Sequence, residues 1–252
     1  MRRTHEQRSG TVVLVTGSSR GIGAETARRC AGREDIDTVI VHHRDENKAW
    51  MARRVAESVE LSGTKCETIR ADITDPDQNR SLARAIAERC GRLDRVVLNA
   101  SGGLEPFADG TDYAFRVNRD AQADLVEHLL PLMEDTGRFV YVTSHWSHFG
   151  QQGLGTYTPV ATSKKAGEEL LRRRFSESPE PKAQLVVVSG DMVHDSTVVR
   201  LLDRMNPGWI KARQAQVSEL LDTGQFADTV VGELFSPQTT PVRTVYAGST
   251  KL

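Results

Sequence analysis

A chain of 252 residues with 38% hydrophobic and 27% charged positions is long enough to bury a full α/β core in one domain. Its formal net charge of -1 excludes a global field favouring nucleic acid or an anionic membrane, and no stretch approaches the roughly 20 apolar residues of a membrane span. Three scattered cysteines, Cys30, Cys66 and Cys90, lack metal-ligand spacing and read as free thiols of a reducing compartment rather than a disulfide framework. The polar, basic segment 1–10 carries no apolar run of the kind a signal peptide needs. It is expected to be a short disordered lead on a cytoplasmic protein.

From Thr11 the chain alternates short β-branched runs with longer amphipathic segments. Thr11 to Thr16 is an apolar run ending in glycines and predicts a buried strand, with a helix over Ile22 to Ala31. Thr38 to Val41 predicts the second strand, and Lys48 to Leu61 a helix with Trp50, Val55 and Val59 on one side. Cys66 to Arg70, then a helix over Asp77 to Arg89 after Pro76, and then Arg95 to Leu98 continue the alternation. A helix around Asp112 to Met133, a strand over Arg138 to Val142, a helix from about Pro159 to Phe175 and a strand over Gln184 to Val188 follow. The last elements are a helix near Phe226 to Phe235 and a strand over Arg243 to Tyr246.

Strand and helix in repeated alternation predict parallel strands joined by right-handed crossovers. The expected architecture is one doubly wound α/β domain over 11–252, with a mostly parallel seven-stranded sheet and helices on both faces. The stretch 190–224 lacks a strand and is the candidate lid over a substrate.

The chemistry-bearing motifs sit at the carboxyl ends of the predicted strands. Thr16-Gly17-Ser18-Ser19-Arg20-Gly21-Ile22-Gly23 joins the first strand to the first helix. Glycines there let the backbone turn tightly and bring a pyrophosphate to the amides of a helix N-terminus. Taken alone it is equally a tight βα turn. Asp72 and Ile73 follow the third strand, Asn99-Ala100-Ser101-Gly102 the fourth, and Asn118 lies within the next helix; singly these are cap or turn residues. In order and spacing the set resembles the short-chain dehydrogenase/reductase family, whose pattern is T-G-x-x-x-G-x-G, then an acid, then N-A-G, and the resemblance covers nearly the whole chain.

That resemblance implies a Rossmann fold, a nicotinamide dinucleotide cofactor and hydride-transfer chemistry. It assigns cofactor contacts to Gly17, Ser19, Arg20, Gly21, Ile22 and Gly23, to Asp72 and Ile73 beside the adenine, and to Asn99, Ala100 and Ser101. The second strand ends in His42-His43-Arg44 with no carboxylate at its tip. A ribose 2′-hydroxyl wants an acid there and a 2′-phosphate a cation, so His43, Arg44 and Arg20 point to NADP(H). The competing reading pairs Arg44 with Asp45 or Glu46 on the surface.

The family's catalytic set is Ser, Tyr about thirteen residues later and Lys four after the Tyr. Ser144 and Tyr157 keep the first spacing, but Lys164, within Ala161-Thr162-Ser163-Lys164-Lys165-Ala166-Gly167, stands seven after Tyr157, and Val160 fills the usual tyrosine slot. The resulting Y-x6-K separation is similar to that of the enoyl-reductase branch, whereas the glycine loop is of the ketoreductase kind. The resemblance gives Tyr157 the proton transfer at the reacting oxygen, Lys164 the tuning of that tyrosine and the ribose contact, Ser144 the polarising contact and Asn118 the proton relay. Pro159 suits a helix first turn with Thr158 as cap, which would put Tyr157 just ahead of the helix.

His145, Trp146, His148 and Phe149 line a substrate pocket or else pack the loop. Ser189 to His194 replaces the family's P-G-x-V/I-x-T, keeping Gly190 and offering Met192 to the nicotinamide carboxamide. No catalytic metal is expected. The partner is expected to be a small-molecule or carrier-bound carbonyl compound, with no nucleic acid and no membrane, and the family resemblance implies a homodimer or homotetramer. The expected function is reversible, NADP(H)-dependent reduction of a ketone or aldehyde; reduction of an activated C=C bond and a catalytically weak NADP-binding regulator are the alternatives.

Overall fold

A computed structural model describes residues 10–104, 113–149, 155–177, 183–217 and 219–250. The expected disordered lead, apart from Gly10, lies outside the described residues, as does Asp112. The strands are β1 (Thr11–Val15), β2 (Ile36–His43), β3 (Lys65–Arg70), β4 (Leu93–Leu98), β5 (Met133–Ser144), β6 (Ala183–Gly190) and β7 (Val242–Ala247). They form one seven-stranded sheet in the order β3-β2-β1-β4-β5-β6-β7, and every neighbouring pair is parallel. The order reverses between β1 and β4, and that switch point opens a crevice at the carboxyl ends of the strands.

The inner strands carry continuous apolar runs because both of their faces are covered, whereas β3 at the sheet edge buries only Ile69. Alternation then divides them: Val12 and Leu14 of β1 join Val96, Phe139 and Leu185 on one face, and Val13 and Val15 join Val41, Val140 and Val186 on the other. The first face is covered by α3 (Pro76–Cys90), α5 (Ala121–Leu129) and α6 (Thr158–Ser176), through Leu82, Leu125 and Leu171. The second is covered by α1 (Gly21–Ala31), α2 (Ala49–Glu60) and α9 (Thr223–Phe235), through Ala27, Val55 and Phe226. At about 1.5–3 kcal/mol for each fully buried aliphatic or aromatic side chain, these two layers are the main stabilising force.

Helix ends are specified locally. Asp75 accepts from the Asp77 and Gln78 amides to start α3, Gly91 ends it in the left-handed region, and Asp222 and Gln225 form a reciprocal capping box on α9. Two expectations need correction. Trp50 is 57% exposed, because it lies half a turn out of phase with Val59 on α2. Thr158 does not cap α6: it is already helical, and Tyr157 at the cap position makes no side-chain capping bond.

The predicted helix after β4 is broken into α4 (Tyr113–Phe115), a π-helical turn at Arg116–Asp120, α5, and a 3-10 turn at Leu130–Leu132. Among its described residues the strandless covering segment carries α7 (Thr197–Met205), capped by Ser196, and α8 (Trp209–Gln214) ahead of the start of α9. Among the described residues no helix is long and apolar enough to cross a membrane.

Candidate active site

The crevice is built first by the glycine loop. Gly17 and Gly21 have φ of +62° and +57°, a region that costs any L side chain strain. A Cβ on Gly17 would lie 2.9 Å from the Ala100 backbone, and one on Gly23 would lie 2.5 Å from the Asn99 side chain, so the loop is pressed against the end of β4. Asn99 fastens that contact by donating from Nδ2 to the Thr16 and Gly17 carbonyls at 3.0 and 3.2 Å. The N-terminus of α1 has neither a side-chain cap nor an acid in its first turn, which leaves a site of positive potential facing the crevice.

His42 is a second fastener, and nothing in the local sequence marks it as one. The Gly17 amide donates to its Nδ1 at 3.0 Å, so Nε2 carries the proton and donates to the Ala71 carbonyl at 2.9 Å. Burial pushes its pKa down to about 4, so the ring is neutral and ties the loop to the end of β3. Asp72 spends its Oδ1 on the Thr74 amide and hydroxyl, at 3.0 and 2.8 Å, while still bordering the crevice beside Ile73.

Around the far end of β2 the crevice is bordered by His43, Arg44 and Lys48, with Arg20 from the glycine loop. Arg44 donates to Asp45 Oδ2 at 3.2 Å and to the Tyr113 hydroxyl at 2.9 Å, so the surface pairing weighed from sequence is present alongside the position at the crevice.

The catalytic candidates converge on the other end. Residues seven apart on a helix lie within about 20° of each other, so Tyr157, Val160 and Lys164 share one face, with Tyr157 roughly one turn farther out than i,i+4 spacing would put it. All three border the crevice, as does Ser144. Burial raises the Tyr157 phenol above its ordinary pKa, and the neighbouring Ser144 side chain offsets part of that rise. The Tyr157 hydroxyl is therefore protonated at neutral pH. Lys164 donates from Nζ to the Val142 carbonyl at 2.9 Å, two residues before Ser144 on β5, and burial lowers its pKa to about 8.

Of the cofactor and catalytic candidates, Gly23 and Asn118 do not border the crevice; Gly23 backs the loop and Asn118 is 1% exposed behind the wall. Asn118 sits in the π-helical turn, accepts from Ser101 Oγ at 2.8 Å, and donates to the Gly102 carbonyl at 3.0 Å and to Ser163 Oγ at 2.9 Å. Its own carbonyl accepts from the Tyr141 hydroxyl at 3.0 Å, which also lies 3.2 Å from the Lys164 carbonyl. Gly167 permits this contact: a Cβ there would be 2.0 Å from the Asn118 oxygen. Ser163 and Gly167 lie in the stretch quoted around Lys164 without a role of their own, and Tyr141 had no signal beyond membership of a strand.

Of the four residues after Ser144 that were candidates for the pocket, only Trp146 borders it. His145, His148 and Phe149 instead pack edge-to-face or tilted around Tyr246 on β7. Trp146 stacks on Trp209 of α8 with ring centroids 6.2 Å apart and planes 25° from parallel. With Leu104, Val160 and Leu202 they make an apolar wall beside Tyr157. Gly190, Asp191 and Met192 close the end between that wall and the sheet.

The model of a family described as short chain dehydrogenase matches residues 11–203. Versicolorin reductase 1 of Dothistroma septosporum is 28% identical over 217 residues, spanning 83% of this chain and 80% of that protein. The 1-cyclohexenylcarbonyl-CoA reductase of Streptomyces collinus is 27% identical over 208 residues, spanning 79% of this chain and 71% of that protein. Among solved structures, the angucycline C-6 ketoreductase LanV with bound NADP aligns with a TM-score of 0.76 at 26% identity, over 98% of this chain and 99% of that one. By its family match and by the order of its motifs, the chain belongs to the short-chain dehydrogenase family of oxidoreductases.

Proposed function

We propose that this protein is an NADP(H)-dependent carbonyl reductase acting on a ketone borne by a flat aromatic ring system. The observation that carries the reading is that Tyr157, Ser144 and Lys164 border one crevice, with the phenol held protonated by burial.

The residues fit the cofactor. The uncapped N-terminus of α1, held against β4 by a loop that tolerates no Cβ at Gly17, suits a pyrophosphate. Arg20 and Arg44 would meet a 2′-phosphate, Asp72 and Ile73 would flank the adenine, and Lys164 would hold the nicotinamide ribose. When bound, NADPH supplies the hydride. Ser144 would donate a hydrogen bond to the carbonyl oxygen, and Tyr157, protonated at neutral pH, would deliver the proton to that oxygen as the carbinol forms. The Lys164 ammonium would favour the tyrosinate left behind. Asn118, with both side-chain ends and its carbonyl already bonded, would hold Ser101 and Ser163 in place around that pair.

The stacked indoles of Trp146 and Trp209 favour a flat, uncharged substrate, in keeping with relatives named for versicolorin and angucycline. The exposed Arg200, Arg204 and Lys211 lie on the covering segment, where a carrier's phosphopantetheine would run if the ketone is carrier-bound.

Reduction of a conjugated C=C bond is the second reading, favoured by the Y-x6-K spacing and by the Streptomyces collinus relative. Incubation with 4-deuterated NADPH and 1-tetralone, and separately with a cyclic enone, separates the two. Deuterium at the carbinol carbon supports carbonyl reduction, deuterium at the β-carbon of a saturated ketone supports the second reading, and no transfer to either refutes both.

A further inference from the structure

Asp191 follows Gly190 at the end of β6, at a position to which the family pattern assigns no side chain, and it is buried together with Arg213 of α8. Their side chains are 2% and 3% exposed. The guanidinium engages both carboxylate oxygens, Nε to Oδ1 at 3.1 Å and Nη2 to Oδ2 at 2.9 Å, a fork-to-fork pairing that fixes orientation as well as distance. The remaining nitrogen donates to Gln216 Oε1 at 3.3 Å.

The pair reaches both ends of the site. On the cofactor side, Asp191 Oδ1 also accepts the Met192 amide at 2.7 Å, and the Asp191 amide donates to the Ala247 carbonyl at 3.0 Å. The N–H of the residue offered to the nicotinamide is thus turned toward the carboxylate. On the substrate side, the Arg213 guanidinium lies 6.0 Å over the ring of Trp146. Trp209, four residues before Arg213 on the same face of α8, stacks on that indole. One ion pair therefore joins Met192, Trp146 and the helix that carries Trp209.

We propose that Asp191 and Arg213 are positioning residues that set the register of the covering helices on the crevice and couple the substrate wall to the nicotinamide seat. Apolar packing of Trp209 and Ile210 near Met192 and Val199 would hold α8 down without specifying where along the crevice it sits. A buried ion pair is a poor source of net stability and a strong source of register, since either partner alone leaves a charge without a counterpart. Only the kinetic arm of the test below rests on the carbonyl-reductase reading.

The test compares wild type with Arg213→Lys, which keeps the charge and loses the fork, and with Arg213→Met. Amide hydrogen exchange, NADPH affinity by fluorescence titration and steady-state kinetics on 1-tetralone and cyclohexanone are read together. In Arg213→Lys, exchange across 192–214 should accelerate at least tenfold while β5 and α6 keep their rates. NADPH should bind at least threefold more weakly, and kcat/KM should fall at least tenfold for 1-tetralone and by less for cyclohexanone. Exchange that rises equally in the sheet and the covering segment, or not at all in that segment, overturns the proposal. If Arg213→Met does not fold, Arg213→Lys carries the test alone. A chain that reduces neither ketone fails the proposed function, and the exchange and affinity arms still decide the positioning role.

Discussion

Replacing Gly167 with alanine puts a methyl group 2.0 Å from the Asn118 carbonyl and 2.9 Å from the Tyr141 hydroxyl. Real Cβ contacts do not go below 3.0 Å, so α6 and the π-helical turn must part by about 1 Å at their closest point. Overpacking of this kind costs about 1–3 kcal/mol, and loss of the Tyr141 contact leaves its buried hydroxyl without its acceptor, about 1–3 kcal/mol more. Against this stands the better helix propensity of alanine, worth about 1 kcal/mol. The net expectation is a destabilisation of about 1–5 kcal/mol, or roughly 2–20 °C in the unfolding midpoint for a chain of this size. The assay is thermal unfolding of Gly167→Ala beside Gly232→Ala. Gly232 is exposed on α9, and a Cβ there meets nothing within 4 Å. The control should be neutral or up to about 1 kcal/mol more stable. A Gly167→Ala protein as stable as wild type would refute the close crossing that holds Asn118 beside Lys164.

Three further expectations follow from the same geometry. Arg44→Ala should weaken NADPH binding by roughly 10- to 100-fold, the worth of a charge-assisted bond, and leave NADH binding nearly unchanged; equal loss for both would remove Arg44 from the phosphate site. The buried Lys164 loses its proton near pH 8 in the fold against 10.5 in an exposed lysine. In that window the unfolded chain binds more protons than the native one, so stability rises with pH while reductive kcat/KM falls as the ammonium is lost; a flat kcat/KM profile between pH 7 and 9.5 would contradict this role. His42 titrates near 4 in the fold and 6.5 when unfolded, so the unfolded state takes up the proton first and stability drops as pH falls from 6.5 to 4. The loss amounts to about 3 kcal/mol, and His42→Gln should flatten the slope by about one proton per molecule unfolded, as measured by denaturant titration at several pH values.

The sheet was legible because its signal is local: each buried parallel strand is a β-branched run that stops at a glycine or a polar cap. The glycine loop was legible for the same reason, and so was the Ser144, Tyr157 and Lys164 set, whose members border one crevice. Features that depend on residues distant in sequence were not. The bonds of His42 to Gly17 and Ala71 span 25 and 29 positions, and Asp191 and Arg213 meet across 22. The π-helical turn at Arg116–Asp120 is tied to the crossing at Gly167 and has no pattern of its own. Trp50 does not share the side of Val55 and Val59 expected for it, because its phase on α2, half a turn from Val59, points outward. After Ser144 the aromatic cluster was visible as composition, but the route of the backbone sends Trp146 to the crevice and His145, His148 and Phe149 toward Tyr246.

The central claim is that Tyr157, one helical turn out from its usual place, is the proton donor. Tyr157→Phe removes the hydroxyl and little else. General acid catalysis is worth about 10²- to 10⁴-fold, so single-turnover oxidation of NADPH by a fused-ring ketone should slow by at least 100-fold while the NADPH dissociation constant stays within about twofold. A Tyr157→Phe protein that reduces the ketone at the wild-type rate would contradict the account.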